Sequence, residues 1–498
     1  MSVAPSRLSK SNYLKGNQCK KALWFSRHRK DLSPQVDEYT QNRFDQGNEI
    51  GILAQSLFPD GALMDLEYYQ IKESHKKTID LIKSGIKTIF EATVYDDKDD
   101  LIARADVAIL NDDNTWELIE VKSSMSVKPE HISDLAFQYY VFSKRNYKIS
   151  KCSVLYLNKE YIKNGEIDAS KLFKMEDITK EVINLQDDLK SLIKEYQLTL
   201  STKEEPLVKI GPHCNKPYEC DYKSLCWKDV PDYSILNLFI SSKSWKIVQE
   251  LNSYKIEDLP KENLPIKEKL IDYNSYIKEK NNFEPDKIKQ FLNTIQYPIY
   301  FLDYETICTS IPLFDASKPY QQVPFQFSLH KQETESSKIE HFEFLHTEKT
   351  DPRPSLIDSL IQECGDEGSI LVYYESFEKS RNNELIDFAP EYKNEIEAIN
   401  NRIVDLYIPF KKRWAYSPKQ KSSASIKAVL PAFTDINYKH LKIGRGDKAS
   451  LEYLNFLLGK QSEDELKEIF VNLKEYCKLD TFAMVKLLKF LETKQAYF

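Results

Sequence analysis

Between Tyr297 and Ile307 the chain reads YPIYFLDYETI, an apolar β-type run interrupted by two carboxylates, Asp303 and Glu305. Side chains two apart on a strand share a face. A strand so rich in Tyr, Phe, Leu and Ile belongs in the middle of a sheet covered on both sides. Two same-face carboxylates there are costly unless a cation sits between them. The stretch predicts a central strand and a divalent-metal centre together, and it opens an αβ region that runs to the C-terminus.

The 498 residues suffice for two or three domains. Three regions separate on pattern. Residues 1–228 mix helix and strand signals. Residues 229–295 are Lys/Glu/Asn-rich with helical spacing (Leu236, Phe239, Trp245, Val248), broken by Pro260 and Pro265, and read as a helical connector. Residues 296–498 form the second αβ region. With 41% hydrophobic and 30% charged residues, the composition is that of a soluble globular protein. No run of eighteen apolar residues occurs, and MSVAPSRLSK lacks the apolar core of a signal peptide. The expected location is cytoplasmic, with no membrane partner. The eight cysteines are then free thiols or metal ligands rather than a disulfide framework. A net charge of −7 neither announces nor excludes a nucleic-acid partner, since only the face at the substrate must be basic.

In the first region, LIARADVAIL (101–110), the turn residues NDDN and the returning run TWELIEVK (115–122) predict a β-hairpin. Glu120 and Lys122 project to one face, and Asp106 can sit beside Glu120 on the neighbouring strand. Two adjacent carboxylates suit Mg²⁺ or Mn²⁺, and a lysine beside them can orient and help deprotonate water. Asp106 lies inside an apolar strand, where an unpaired carboxylate is expensive. A preceding strand, TIFEATV, carries Glu91, and a following helix, LAFQYYVFSK, carries Gln138 and Tyr139.

That order resembles the PD-(D/E)XK nuclease superfamily and its RecB-like branch. The resemblance implies Asp106 and Glu120 as metal ligands and Lys122 as the catalytic lysine. Gln138 and Tyr139 would support the site or contact the substrate backbone. RecB-like nucleases usually carry a metal-binding histidine a few residues after a glycine on an early helix. The matching stretch, QGNEIGILAQ, has Gly47 and Gly51 but no histidine. Either Glu49 substitutes or the metal has one protein ligand fewer.

Cys214, Cys220 and Cys226 are separated by five residues each. Zinc sites more often pair cysteines two to four residues apart, so the spacing leans towards iron–sulfur and leaves zinc as the alternative. Some RecB-like nucleases hold a 4Fe-4S cluster through three C-terminal cysteines and one upstream of the nuclease core. Cys19 stands at that upstream place, and the resemblance implies that it completes the set. His213 is expected beside the cluster, and Cys152, Cys308 and Cys364 as packed thiols.

The second region continues with Phe377-Glu378 at a strand-to-helix junction, IVDLYIPF with Asp405, SSASIKAVLPAF, and YCKLDTFAMVKLL with Tyr476 and Asp480. Positions four apart on a helix share a face. The series resembles the motifs of DEDD 3′–5′ exonucleases in their tyrosine-bearing form, which have an RNase H-like fold. It implies that Asp303, Glu305, Glu378 and Asp480 bind two divalent ions, with Asp405 in support. One ion activates water and the other stabilises the leaving 3′ oxygen, while Tyr476 positions the nucleophile. Glu378 stands where the family usually has aspartate. The run KKRWAYSPKQKSSASIK (411–427) carries Lys411, Lys412, Arg413, Lys419, Lys421 and Lys427 with two aromatics and no acid, which suits phosphates and base stacking. A second basic stretch, YKHLKIGRGDK, follows at 438–448.

The expectation is an α/β protein with two nuclease domains and an iron–sulfur staple, hydrolysing DNA, or RNA as the alternative, with Mg²⁺ or Mn²⁺. The rivals are a protein with only the C-terminal domain active and the first a substrate clamp, and a non-catalytic nucleic-acid-binding scaffold.

Overall fold

The foreseen hairpin lies at the heart of a seven-stranded sheet in the computed structural model of the chain, which describes residues 6–238, 242–264 and 266–496. Residues 1–5, Phe239 and Pro265, which entered the sequence reading, lie outside that range. The fold is α/β, in two units: residues 1–229 with 309–320, and residues 230–308 with 321–498. Among the described residues, no helix is long and apolar enough to cross a membrane.

The strands of the first unit are β1 (Leu8–Ser9), β2 (Ala62–Leu63), β3 (Thr88–Asp96), β4 (Leu101–Leu110), β5 (Trp116–Lys122), β6 (Ile149–Leu157) and β7 (Phe173–Asp177). They lie in the order β2-β3-β4-β5-β6-β7, with β1 beside β4. The β4–β5 register pairs Val107 with Ile119, so one step on Asp106 faces Glu120 across the ladder. Helices α1 (Lys10–Gln18), α2 (Lys20–His28) and α3 (Glu38–Gln55) precede the hairpin, and α4 (Pro129–Lys144) follows it. Proline at its first position starts α4. Its apolar face, Leu135, Phe137, Val141 and Phe142, packs into the core with β3, β4 and β6.

The second unit is built on β9 (Ile299–Cys308), numbered after the short β8 (Asn282–Phe283). β10 (Gln322–Gln332) and β11 (Ile339–Leu345) lie to one side, and β12 (Ser369–Val372) and β13 (Ile403–Asp405) to the other. The run 297–307 is therefore a central strand, antiparallel to β10 and parallel to β12. A bulge in β10 between Pro324 and Gln326 falls opposite Glu305, where bulges commonly re-aim side chains. α6 (Glu375–Phe388), α7 (Ile426–Phe433), α8 (Gly446–Leu457) and α9 (Glu463–Ala496) complete the unit, with α9 laid across β9 and β10. The connector residues from 230 onward belong to this unit. Ile235, Leu238, Val248 and Ile256 form a small core there with Tyr273 of α5 (Lys267–Ile277).

Asp272 on α5 is buried and grips Arg413 through Nε at 2.6 Å and Nη2 at 3.1 Å. Arg413 is itself 5% exposed. Its expected role in phosphate binding is thereby corrected: the guanidinium closes a buried ion pair inside the fold. Removing one member of such a pair strands the other charge without solvent. Asp272→Ala is expected to lower unfolding free energy by ~3–5 kcal/mol in denaturant titrations, whereas Lys412→Ala on the exposed flank should change it by under ~0.5 kcal/mol.

Candidate metal centres

Three clusters of metal-ligating side chains take shape, two in the first unit and one in the second. Burial raises the free energy of any charge within them, so each must be read by what neutralises its members.

In the first, Asp106 on β4 accepts a hydrogen bond from the Val121 amide at 2.7 Å and faces Glu120 on β5. Burial, then the Glu120 charge, pushes the Asp106 carboxyl up to about 7. Glu120 is 1% exposed, yet its carboxylate stays well below the usual range, because Lys10 and Lys122 overcome the penalty of burial. Lys122 donates to Glu120 at 2.6 Å and to Asp134 at 2.9 Å. Lys10 lies 2.9 and 3.1 Å from the two Glu120 oxygens and 3.4 Å from Asp134. Gln138 donates to Glu120 at 2.5 Å and to Asp134 at 3.0 Å. Burial and the neighbouring Glu120 raise the Asp134 carboxyl.

Lys10 and Asp134 escaped sequence reading. Asp134 lies four residues before Gln138, the helical spacing that could have found it. Lys10 has no local signal, since the chain returns to β5 only after 110 residues. Tyr139, one residue past Gln138, is turned about 100° around α4 and packs against the core instead of joining this network. Glu91 falls opposite Asp106 in the β3–β4 register, with φ of 59°. A non-glycine left-handed residue inside a strand is strained, as functional sites often are. Its carboxylate, raised by burial, lies 3.9 Å from Arg104. Glu49 lies exposed on α3 and does not enter the network, so the residue read as a histidine substitute brings no ligand to it.

The second cluster gathers the four cysteines read from the sequence. Cys19 ends α1 and caps α2 in an extended conformation, φ −163° and ψ 119°. It packs with Cys220 and Cys226 against Phe25 and Tyr222, beside the buried Cys214. Gln18 fixes the approach by donating to the carbonyls of His213 at 3.0 Å and Tyr218 at 2.8 Å. Burial pushes the Cys19 thiol up, against the pull of amides at the start of α2, and pushes Cys220 up to about 11. Cys214 is buried and the other three are half-buried, a group of thiols suited to a shared cation, which deprotonates its ligands.

The third cluster surrounds β9. The ligand atoms of Asp303, Glu305 and Cys477 all lie within 4.8 Å of one another. Glu378, on the first turn of α6, is 2% exposed, and its Oε2 has no hydrogen-bond partner. Burial, then Asp303 and Glu305, raises the Glu378 carboxyl well above the usual range. Asp303 is raised well above that range by burial and then Asp480, and Glu305 by burial and then Asp303. Burial moves Asp480 up to about 6, against the bond it accepts from Tyr438 at 2.6 Å. Tyr476 accepts from the Lys427 ammonium at 3.0 Å. The chain passes close to this centre at Gly446, where a Cβ would lie 3.6 Å from Glu305 Oε2, an ordinary van der Waals contact.

Asp303, Glu305, Glu378, Asp480 and Tyr476 thus converge as expected from sequence, and Cys477 and Tyr438 join them. Lys427, read as a phosphate contact, touches Tyr476. Asp405 stands behind, accepting from the amides of Tyr374 at 2.9 Å and Tyr407 at 3.0 Å. It orients the entry to α6, where Tyr374 has φ of 88°. Of the remaining basic residues, Lys411, Lys412, Lys419 and Lys421 are exposed, and Lys421 pairs with Asp232 at 2.6 Å.

The carboxyls of the third cluster titrate higher folded than unfolded, so their contribution to stability is complete below about pH 4. It is lost as pH rises through about 6 for Asp480, and likewise as its partners, also raised, ionise. In chelator at pH 8, Glu378→Gln is expected to melt several degrees above the wild type, because it removes one repelling charge. Added Mn²⁺ should reverse that order by stabilising the wild type more. Thermal unfolding with and without Mn²⁺ checks both signs.

Residues 300–425, which contain Asp303, Glu305, Glu378 and Asp405, match a family described as "Domain of unknown function (DUF2779)". The chain is 29% identical over 225 residues to "Uncharacterized protein MG366" of Mycoplasma genitalium, a match that covers 42% of this chain and 34% of that protein. It is 21% identical over 557 aligned positions to "Uncharacterized protein UU173" of Ureaplasma parvum serovar 3, covering 85% of this chain and 80% of that one. The stretch shared with the Mycoplasma genitalium protein is about a third of that protein's length, and the family match includes the strand that carries Asp303 and Glu305.

Proposed function

We propose that this protein is a divalent-metal-dependent nuclease whose hydrolytic centre is the carboxylate cluster around β9. The observation that carries this reading is Glu378 Oε2, buried and unpartnered beside Asp303 and Glu305. A carboxylate oxygen in that position is satisfied by a cation. Hard oxygen donors of this kind suit Mg²⁺ or Mn²⁺. A mixed sheet with the carboxylate strand at its centre supports the RNase H-like, DEDD-type expectation. Bound ions would supply a nucleophilic hydroxide and stabilise the leaving oxygen. Tyr476, held by Lys427, would orient the attacking water, and Asp405 would keep α6 and its Glu378 in place.

The first unit favours the rival reading of one active domain. Lys10 and Lys122 together already neutralise Glu120 and Asp134. An ammonium at hydrogen-bond distance from both Glu120 oxygens competes directly with a metal ion for them. With no histidine and with Glu49 outside the network, this unit serves as a substrate clamp in the PD-(D/E)XK mould. The four-cysteine cluster staples that unit. The five-residue intervals between Cys214, Cys220 and Cys226 favour iron–sulfur over zinc, whose sites more often pair cysteines two to four residues apart.

End-labelled single- and double-stranded DNA and RNA, incubated with Mn²⁺, should be shortened by the wild type and left intact by Asp303→Asn. Tyr476→Phe should lower the rate by roughly 10²–10⁴-fold, and Lys122→Ala should leave cleavage within a few-fold. No cleavage of any substrate by anaerobically prepared wild type would overturn the nuclease reading and leave a binding scaffold. For the staple, the anaerobic protein is expected to be brown and to contain iron and acid-labile sulfide. Cys19→Ser should lose both, and a colourless, zinc-containing wild type would assign the site to zinc.

A further inference from the structure

Beside the third cluster lies a cavity of ≈ 610 Å³ whose lining includes Lys427, Tyr438, Lys439, Lys442, Arg445 and Lys448. That size is within the roughly 300–1,000 Å³ of ordinary ligand sites. Five cations face it and no carboxylate does, in a protein whose net charge is −7. Lys442 and Arg445 are paired at the rim, with Glu468 and Asp447. Lys439 and Lys448 make no ion pair among the described residues, so their charge is open to a ligand. Lys448 is aimed by a bond to the Lys442 carbonyl at 3.2 Å.

Two lining residues also belong to the carboxylate centre. Tyr438 donates to Asp480, and Lys427 bridges Tyr476 and the Gly444 carbonyl, each at 3.0 Å. The cavity and the acidic cluster therefore share a wall, one side anionic and the other cationic. A ligand that spans this wall must offer a group that coordinates metal and, one unit along the same chain, an anion. Repeating phosphodiesters meet that requirement. We propose that the cavity seats the phosphate adjoining the scissile one in a nucleic-acid strand, with Lys439 and Lys448 as its principal contacts. This inference rests on the nuclease reading for the strand's path, while the cavity's affinity for a strand can be measured without cleavage.

The test is fluorescence anisotropy of a labelled single-stranded oligonucleotide, in chelator so that nothing is cut, titrated across salt concentrations. Each single-strand phosphate contact contributes about 0.7 to the slope of log affinity against log salt. The double variant Lys439→Ala/Lys448→Ala is expected to bind at least ~10-fold more weakly at low salt, with the slope reduced by about 0.7, the share of the one phosphate that the two lysines hold. Lys439→Arg/Lys448→Arg should restore both, which a variant that merely disturbed the fold would not. Unchanged affinity and slope in the alanine variant overturn the proposal, and so does inorganic phosphate competing as well as an equal concentration of strand phosphates. If the wild type binds with the expected slope but cuts nothing when Mn²⁺ is supplied, the nuclease reading fails and the cavity assignment stands. If it cuts while the alanine variant keeps the wild-type slope, the cavity assignment alone fails.

Discussion

Mutual repulsion among buried carboxylates is the force to which the second unit is built. Asp303 and Glu305 cannot leave one another, because a two-residue step on β9 fixes them to one face. α6 and α9 then bring Glu378 and Asp480 against the same strand instead of relieving the strain. Phe301, Phe325 and Phe327 are buried around them, and of the four carboxylates Asp303 alone keeps partial exposure. Such an arrangement is unfavourable for the bare chain and becomes favourable with cations, so the fold and its cargo of charge are coupled thermodynamically.

The first unit meets the same electrostatic difficulty with its own side chains. Glu120 and Asp134 are as deeply buried as their counterparts around β9, but Lys10, Lys122 and Gln138 surround them. The outcome is opposite in sign: Glu120 is held ionised, whereas Glu305 and Glu378 are driven towards the neutral form. In the first cluster the lysines compensate Glu120 while Asp106 and Asp134 stay raised, whereas around β9 Asp303, Glu305, Glu378 and Asp480 are all raised. That contrast, more than the presence of similar motifs, separates the proposed clamp from the proposed hydrolytic centre.

Much of this was legible in the sequence because it rests on short-range periodicity. The two-residue step of Asp303 and Glu305, the four-residue step of Tyr476 and Asp480, and the hairpin that sets Asp106 against Glu120 follow from local geometry. What remained hidden is set by long-range closure. Lys10 meets Glu120 and Arg413 meets Asp272 across more than a hundred residues, with no pattern at either end. Charge counting along 411–427 treated Arg413 and Lys427 alike, but only the fold shows that the first is walled in and the second reaches Tyr476. Tyr139 rests on the resemblance alone, and as the neighbour of Gln138 on a helix it points to a different face.

The nine residues of α1 join two of these features end to end. Lys10 opens the helix over Glu120, and Cys19 closes it among the other thiols. A helix of that length is a strut of about 14 Å that bends little. The distance between the Lys10 and Cys19 backbones is consequently set mainly by the hydrogen bonds of the helix. Whatever anchors Cys19 also gauges how far Lys10 reaches towards Glu120, and the two ends of the first unit share a single ruler.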